Sequence, residues 1–226
     1  MGCQKQYGMY QEHDLLDMTV QEYVAEKERL GQEAFRTCSW LQRALLSGEI
    51  VRQPHPSAVG LQSRHYVAGS MSPLMMDRYM VPMGKGRGVA ALNESANRPS
   101  LAGGSELCWA VYFAEYSRND ANTVHGGAIA AVCDYIGASI NGTTAWLRVD
   151  YLKAPTKGES VKDKADPIVG ATDETVWKLC AWISEVKQRG RRKKIQVELS
   201  DGDTGVVYCT AEGEFVDTTM PRPPRL

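Results

Sequence analysis

Residues 122–134 read NTVHGGAIAAVCD and open a run of small and apolar residues that continues to Ile140. From Val124 to Ile140 this run is apolar on almost every side of a helical wheel, which predicts one helix buried on most of its surface. The pair Gly126-Gly127 stands where that helix would begin. Because glycine has no side chain, a ligand carbonyl or another chain can approach the backbone closely at this point.

The triplet His125-Gly126-Gly127 at the start of the predicted helix indicates an oxyanion site. The first amides of a helix have no intrahelical acceptor, and the helix dipole makes that end attractive to negative charge. Such fixed backbone donors stabilise the oxygen of a thioester or ester carbonyl as charge develops on it. A tight turn that binds nothing is the alternative interpretation of the same three residues.

Asp134 is the one charged residue between Val124 and Ile140. An ionised carboxylate in apolar surroundings is unfavourable unless it is paired or reaches a polar cleft. We therefore expect one of two roles. Asp134 is either a structural residue bonded to a neighbouring Ser, Thr or backbone amide, or a general base or nucleophile in a cleft.

The helix also separates these two candidate groups. From Gly127 to Asp134 is roughly 10 Å along a helix that rises ~1.5 Å per residue. A carbonyl held at the helix start is therefore out of reach of the aspartate on the same helix. If both groups act on one atom, the aspartate comes from a second, antiparallel copy, and a two-fold dimer would supply two equivalent sites. Catalysis by this pair thus predicts at least a dimer.

Outward from the helix, the chain has the alternation and the turn residues of β-strands. The predicted strands are 106–116, 143–152, 160–169, 176–187, 193–199 and 206–216. One strand, a buried helix and then a run of hairpin-connected strands predict an α+β fold, in which an antiparallel sheet wraps around a central helix.

The N-terminal part differs from the rest of the chain in composition and periodicity. Thr19-Val-Gln-Glu22 matches a capping box, and an apolar stripe at helical spacing then predicts a helix from Thr19 to about Ser47. Residues 49–100 are rich in Pro and Gly, and the methionines from Met71 to Met83 are interpreted as a loop lying on the core. A short strand at Arg87–Leu92 is an open alternative within this region.

These differences in composition and periodicity divide the chain into three parts. We predict a helical and irregular N-terminal extension at 1–98, the α+β domain at 99–218 and a Pro/Arg-rich tail at 219–226.

Composition excludes several classes of protein. The 226 residues carry 26 Lys and Arg against 27 Asp and Glu, so no basic excess suggests nucleic-acid binding. No apolar run reaches the ~20 residues of a transmembrane helix. The six cysteines form no C-x-x-C pair, which predicts buried free thiols in a reducing compartment, most simply the cytoplasm.

The central motif resembles the hotdog-fold acyl-CoA thioesterase superfamily, in particular its PaaI-like and 4-hydroxybenzoyl-CoA thioesterase-like members. The similarity lies in HGGAIA at 125–130, Asp134, the strand start TTAWL at 143–147 and its end VDYLKAP at 149–155. It extends over about residues 101–217. The resemblance implies a hotdog fold and hydrolysis of an acyl-CoA to a free carboxylic acid and CoA at a dimer interface.

The resemblance also assigns roles to residues. Asp134 would activate water or attack the thioester, and the Gly126 and Gly127 backbone would polarise its carbonyl, with Gly126 close to the substrate. His125 would shape the loop and contact the substrate. Thr144 would orient water beside the aspartate, and a one-residue shift would give this place to Thr143. The family's asparagine upstream of the histidine corresponds to Asn122 or Asn119.

The same resemblance implies a homodimer or homotetramer that acts on acyl-CoA in lipid metabolism. No cofactor or metal is implied, because coenzyme A is part of the substrate. Two other functions stay open. A hotdog enoyl-CoA hydratase would use Asp120 and His125, which stand in DANTVH at 120–125, and a non-catalytic acyl-CoA-binding protein would use neither.

Three short segments carry weaker signals. The basic run Lys187–Lys194 is either a solvated turn or a contact for CoA phosphates. Met1-Gly2-Cys3 is compatible with N-terminal acylation and membrane association, although Gln6 departs from that motif. The final Pro224-Arg225-Leu226 loosely resembles a peroxisomal address.

Overall fold

A computed structural model describes residues 19–52, 74–82, 85–87, 106–114, 117–118, 123–153, 176–187 and 191–218. Its helices are α1 (Val20–Thr37), α2 (Ser39–Leu46) and α3 (Gly126–Asn141). Its strands are β1 (Val51–Arg52), β2 (Leu74–Val81), β3 (Glu106–Phe113), β4 (Thr143–Tyr151), β5 (Val176–Lys187), β6 (Arg192–Ser200) and β7 (Val207–Val216). The part of the chain so described contains one sheet with the order β1-β2-β3-β5-β6-β7-β4.

The path of the chain is that of an α+β hotdog fold, as predicted. Every pairing in the sheet is antiparallel. After β3 the chain forms α3, crosses to the far edge of the sheet as β4 and returns through β5, β6 and β7. The inner face of the sheet packs around α3 and buries its apolar residues in one core cluster.

The strand predictions after the helix are confirmed to within one residue at 143–152, 176–187, 193–199 and 206–216. The strand predicted at 106–116 ends at Phe113, and the one predicted at 160–169 lies outside the described residues. The helix predicted from Val124 begins at Gly126.

Small residues allow α3 to lie close to the sheet. A Cβ atom added to Gly137 would lie 2.0 Å from Cζ of Phe215, a residue of β7 that is fully buried. Because no side chain stands between them, the helix backbone rests on the phenylalanine ring. The small apolar residues along α3 thus fix how closely the helix approaches the sheet.

The interpretation of the methionine-rich segment as a loop is wrong. Leu74–Val81 forms β2, which pairs with β3 from Leu74 opposite Phe113 to Val81 opposite Glu106. Met76 and Met80 pack on the inner core, whereas Tyr79 packs in a second cluster on the outer face. Because both faces are covered, the segment lacks the alternation of apolar and polar residues by which a strand is recognised.

The N-terminal helix prediction is correct in extent but misses a break. The capping box is present, since Thr19 Oγ1 accepts from Glu22 N and Thr19 N donates to Glu22 Oε2. At Cys38 the backbone becomes extended, with φ −64° and ψ 113°, and the chain turns from α1 into α2.

The second helix packs on the outer face of the sheet. Trp40 and Leu41 of α2 are buried there against Cys108 and Cys180. The 1–98 extension therefore contributes strands to the sheet and a cover to its outer face, and its boundary with the domain at 99–218 stays a prediction. The cysteines that the structure describes are buried free thiols, as expected. None of the described helices combines the length and apolar character required to cross a bilayer.

A buried ion pair anchors the segment before β3. Glu106, at the start of β3, is buried and accepts from Arg87 Nη2 at 2.6 Å and from Arg87 Nε at 3.0 Å. The guanidinium also lies 3.7 Å from the centre of the Trp182 ring and pairs with Glu198 at 3.1 Å. Burial opposes ionisation of Glu106, but the bonds to Arg87 outweigh it and hold the pKa of this carboxyl below 4.5.

This lowered pKa predicts a dependence of stability on pH. A carboxylate whose folded-state pKa lies below 4.5 contributes stability above that pH and loses it as the pH falls through the folded-state pKa. We expect Glu106→Gln to lower the free energy of unfolding at neutral pH by about 1.5–3 kcal/mol, the range for hydrogen bonds to charged groups. The variant should also lose less stability than the parent on acidification.

Chemical denaturation at a series of pH values measures both effects. Glu185→Gln is the matched control, because Glu185 pairs with Lys187 at 3.2 Å on the exposed end of β5. Its removal should change stability by no more than about 1 kcal/mol. Equal behaviour of the two variants would contradict the role given to Glu106.

Candidate active site

The helix α3 begins without a side-chain cap. His125 is the N-cap residue, its side chain is exposed and makes no capping bond, and its amide donates to the Ser117 carbonyl at 2.8 Å. The first bond within the helix runs from Ala128 N to the His125 carbonyl at 2.9 Å. The amides of Gly126 and Gly127 precede that bond, and the first turn carries no acidic residue. With respect to the described residues, this helix end therefore presents free donors and a positive dipole.

The two glycines of the first turn have different surroundings. A Cβ added to Gly126 would lie 3.3 Å from Cζ of Tyr151, whereas one added to Gly127 would meet no described atom within 4 Å. A helical glycine is less stable than alanine by about 0.8–1.0 kcal/mol, and the described contacts of the chain offer no packing reason for Gly127. Its backbone is open to a ligand or to a partner chain.

Asp134 lies two turns further along α3 and is partly exposed. Thr144 Oγ1, near the start of β4, donates to Asp134 Oδ1 at 2.6 Å. Among the described residues no donor reaches the second carboxylate oxygen, Oδ2. In the described part of the chain, the carboxylate is thus held through one of its two oxygens.

A β-bulge decides which threonine bonds to the aspartate. Leu147 and Val149 of β4 pack on the inner core, so strict alternation would also turn residues 145 and 143 inward. The register shifts between Thr144, opposite Phe215, and Trp146, opposite Glu214, which leaves Ala145 as the extra residue. The bulge changes the parity of the strand, so that Thr144 faces α3 and Thr143 is exposed.

The structure brings the predicted residues together in two groups. Asp134 and Thr144 form one group, and His125, Gly126 and Gly127 form the other at the start of the same helix. About 10 Å of helix separates the groups within one chain. Asn122 and its alternative Asn119 lie outside the described residues, as does Asp120 of the hydratase hypothesis.

Tyr151 is a contact at this site that the sequence analysis did not single out. Its hydroxyl donates to the Gly126 carbonyl at 2.7 Å. The available signal was the alternation of β4, which places residue 151 on the same face as Leu147 and Val149.

The thiol next to Asp134 is unsuited to act as a nucleophile. Cys133 is buried, and its hydrogen bond with Cys209 together with its burial raises the pKa of the Cys133 thiol well above its usual value. It therefore stays protonated at neutral pH.

Three basic side chains of the run at the β5–β6 turn pair with carboxylates. Lys187 pairs with Glu185 at 3.2 Å, Lys194 pairs with Glu212 at 2.8 Å, and Arg192 pairs with Glu214. These pairs favour the solvated-turn interpretation over a contact for CoA phosphates.

No family model and no curated protein matches this chain. Solved structures that it resembles include a hypothetical thioesterase with coenzyme A from Streptococcus pneumoniae TIGR4, at 16% identity and a TM-score of 0.39. That alignment covers 50% of this chain and 78% of the other. The mouse thioesterase superfamily member 2 aligns at 17% identity over 49% of this chain and 80% of the other, with a TM-score of 0.39.

The PaaI protein of the Escherichia coli phenylacetic acid degradation operon is also similar, at 10% identity and a TM-score of 0.37. It is matched over 70% of its length and over 48% of this chain.

The bulge makes a prediction that separates the two threonines. Thr144→Val keeps the shape of the side chain but removes the donor to a partly buried carboxylate, so the free energy of unfolding should fall by about 1.5–3 kcal/mol. Thr143→Val changes an exposed side chain and should stay within about 0.5 kcal/mol of the parent. Denaturant unfolding at neutral pH measures both. A larger loss in Thr143→Val would mean that the threonine at position 143 holds the aspartate.

Proposed function

We propose that this protein is an acyl-CoA thioesterase, which hydrolyses a thioester to a free carboxylic acid and CoA. The observation that carries this proposal is the Asp134 carboxylate, held by Thr144 through one oxygen, on a helix whose glycine-led first turn is open. These are a proton acceptor and an oxyanion site, the two elements that hydrolysis of a thioester requires.

The first turn of α3 would bind the reacting carbonyl. The thioester oxygen would accept from the Gly127 amide, at the positive end of the helix dipole. As the carbon becomes tetrahedral, negative charge develops on this oxygen and the bond strengthens. The open space beside Gly127 gives the carbonyl the room to reach the amide.

Asp134 would accept the proton through Oδ2 while Thr144 fixes the orientation of the carboxylate. As a general base it takes a proton from water, whose oxygen bonds to the carbonyl carbon, and the C–S bond then breaks. The departing CoA sulfur takes the proton from Asp134, which restores the carboxylate. The alternative route, in which the carboxylate itself attacks the carbon and water hydrolyses the resulting anhydride, uses the same residue.

A dimer would unite the two groups. In the described part of the sheet, β4 pairs only with β7, and its other edge is free. Trp146 at 44% and Leu152 at 61% exposure are large apolar side chains on or just beyond this strand. A free edge strand that exposes large apolar side chains is suited to pairing with a second copy, and two-fold pairing would set the two α3 helices antiparallel. Asp134 of one copy would then approach Gly127 of the other.

The decisive variant is Asp134→Asn. The asparagine retains an oxygen that accepts from Thr144, so folding should be preserved, but it cannot take a proton from water or attack the thioester. We expect turnover to fall by about 10²–10⁴-fold, the contribution of general acid–base catalysis. Release of free thiol from short-chain, long-chain and aromatic acyl-CoAs measures this rate. Asp203→Asn, in the β6–β7 turn where Asp203 contacts Ser39, is the matched control and should keep the parental rate.

The outcomes separate the candidate functions. Turnover retained in Asp134→Asn would overturn the assigned role. A parent protein that binds acyl-CoA and releases no thiol from any of them would be a binding protein. Hydration of an enoyl-CoA without thiol release would indicate the hydratase.

The two glycines allow a second prediction about the same reaction. Gly127→Ala places a methyl group in open space and improves helix propensity, so the melting temperature should stay the same or rise. Turnover should nevertheless fall by about 10²-fold or more, because the methyl group occupies the approach of the carbonyl to an oxyanion donor.

Gly126→Ala provides the comparison, because its methyl group would press on the Tyr151 ring. We expect this variant to lose stability as well as turnover. Thermal unfolding and kcat/KM measured on both variants distinguish the two effects. Parental activity in Gly127→Ala would show that no substrate oxygen reaches this amide.

A further inference from the structure

Tyr151 joins the end of β4 to the first turn of α3. Its phenol hydroxyl donates to the Gly126 carbonyl at 2.7 Å, and its ring lies beside that glycine, where an added Cβ would be 3.3 Å from Cζ of the ring. The side chain is 52% exposed, so this tyrosine buries too little surface to serve mainly as a core residue. The polar contact with the helix start is its main interaction among the described residues.

We propose that Tyr151 is a positioning residue, which fixes the first turn of α3 and thereby aims the Gly127 amide at the reacting carbonyl. This inference rests on the proposed thioesterase function. It adds a residue that the sequence motif does not assign to the reaction.

The start of α3 needs such an anchor. Two consecutive glycines give the backbone more freedom than any other pair of residues. The side chain of the N-cap residue His125 makes no capping hydrogen bond. The backbone N–H of His125 donates a hydrogen bond to the Ser117 carbonyl, which restrains the cap. An oxyanion donor contributes most when it is fixed before the reaction. The bond from Tyr151 restrains the residue directly before Gly127.

The same strand holds both groups of the site. Thr144 near the start of β4 bonds to Asp134, and Tyr151 at its end bonds to Gly126. The position of β4 against α3 therefore sets the carboxylate and the glycine turn together. If two copies pair through β4, formation of the dimer would also order both groups.

The hydroxyl remains a donor under ordinary assay conditions. Partial desolvation is the largest cause that raises the pKa of Tyr151 above its ordinary value of 10.0. The phenol is then neutral at neutral and mildly alkaline pH, and the bond to the carbonyl persists.

Tyr151→Phe tests the proposal, because it keeps the ring on Gly126 and removes only the hydroxyl. We expect kcat to fall by about 3- to 10-fold, the effect of one neutral hydrogen bond, with KM nearly unchanged. Affinity for a non-hydrolysable thioether analogue of the substrate, measured by calorimetry, should match that of the parent. Hydrogen exchange of the Ala128 and Ile129 amides, which bond to the His125 carbonyl in the first turn, should become faster. Tyr79→Phe, on the outer face of the sheet, is the control and should change none of these quantities.

Each other result overturns the inference. Parental kcat in Tyr151→Phe would show that the hydroxyl does not position the turn. A weaker affinity for the thioether analogue with parental kcat would make Tyr151 a substrate-binding residue instead. Unchanged exchange at the first turn of α3 would remove the structural part of the argument, and it can be measured even if the parent shows no thioesterase activity. Retained turnover in Asp134→Asn, by contrast, bears on the proposed function and leaves this exchange result intact.

Discussion

The close packing of α3 on the sheet is the constraint on which the rest of the structure depends. The helix approaches so closely that a Cβ at Gly137 would lie 2.0 Å from the Phe215 ring. Such contact is possible only for a helix of small residues, and it places Asp134 within reach of β4. The partly exposed carboxylate then gains a hydroxyl donor, which satisfies a group that is otherwise unfavourable in an apolar helix. The close approach of α3 to the sheet thus explains both the packing of the core and the position of the Asp134 carboxylate.

Two residues of β4 contact the candidate groups on α3. Its bulge turns Thr144 toward the aspartate, and its last residue, Tyr151, reaches the glycine turn. Bulges commonly re-aim side chains beside functional sites, and this one selects between two adjacent threonines. Because β4 is also the free edge of the described sheet, the strand that orders the site is the one that a second copy would meet.

The outer face of the sheet explains where sequence patterns failed. Both faces are covered at β2 and β3, by α3 on the inside and by α2 on the outside. A strand buried on both sides shows no alternation, so the sequence pattern of the β2 methionines does not indicate a strand. The break at Cys38 was equally invisible, because the apolar stripe of α1 continues into α2 without a proline or glycine to mark the turn. Where one face met solvent, as in β6 and β7, alternation located the strands to within a residue.

The sequence by itself determined the buried small-residue helix, the antiparallel strands around it, and Asp134 and the glycine pair as candidate groups. Those features depend on local composition, on periodicity and on the lack of intrahelical acceptors for the first amides of a helix. All three are properties of short segments. Tertiary structure alone decided that Thr144 and not Thr143 bonds to the aspartate, that Tyr151 contacts Gly126, and that no described atom lies where a Gly127 side chain would be. These facts depend on strand register and on contacts between segments far apart in the chain, and a one-residue shift in register reverses which side chains face the helix.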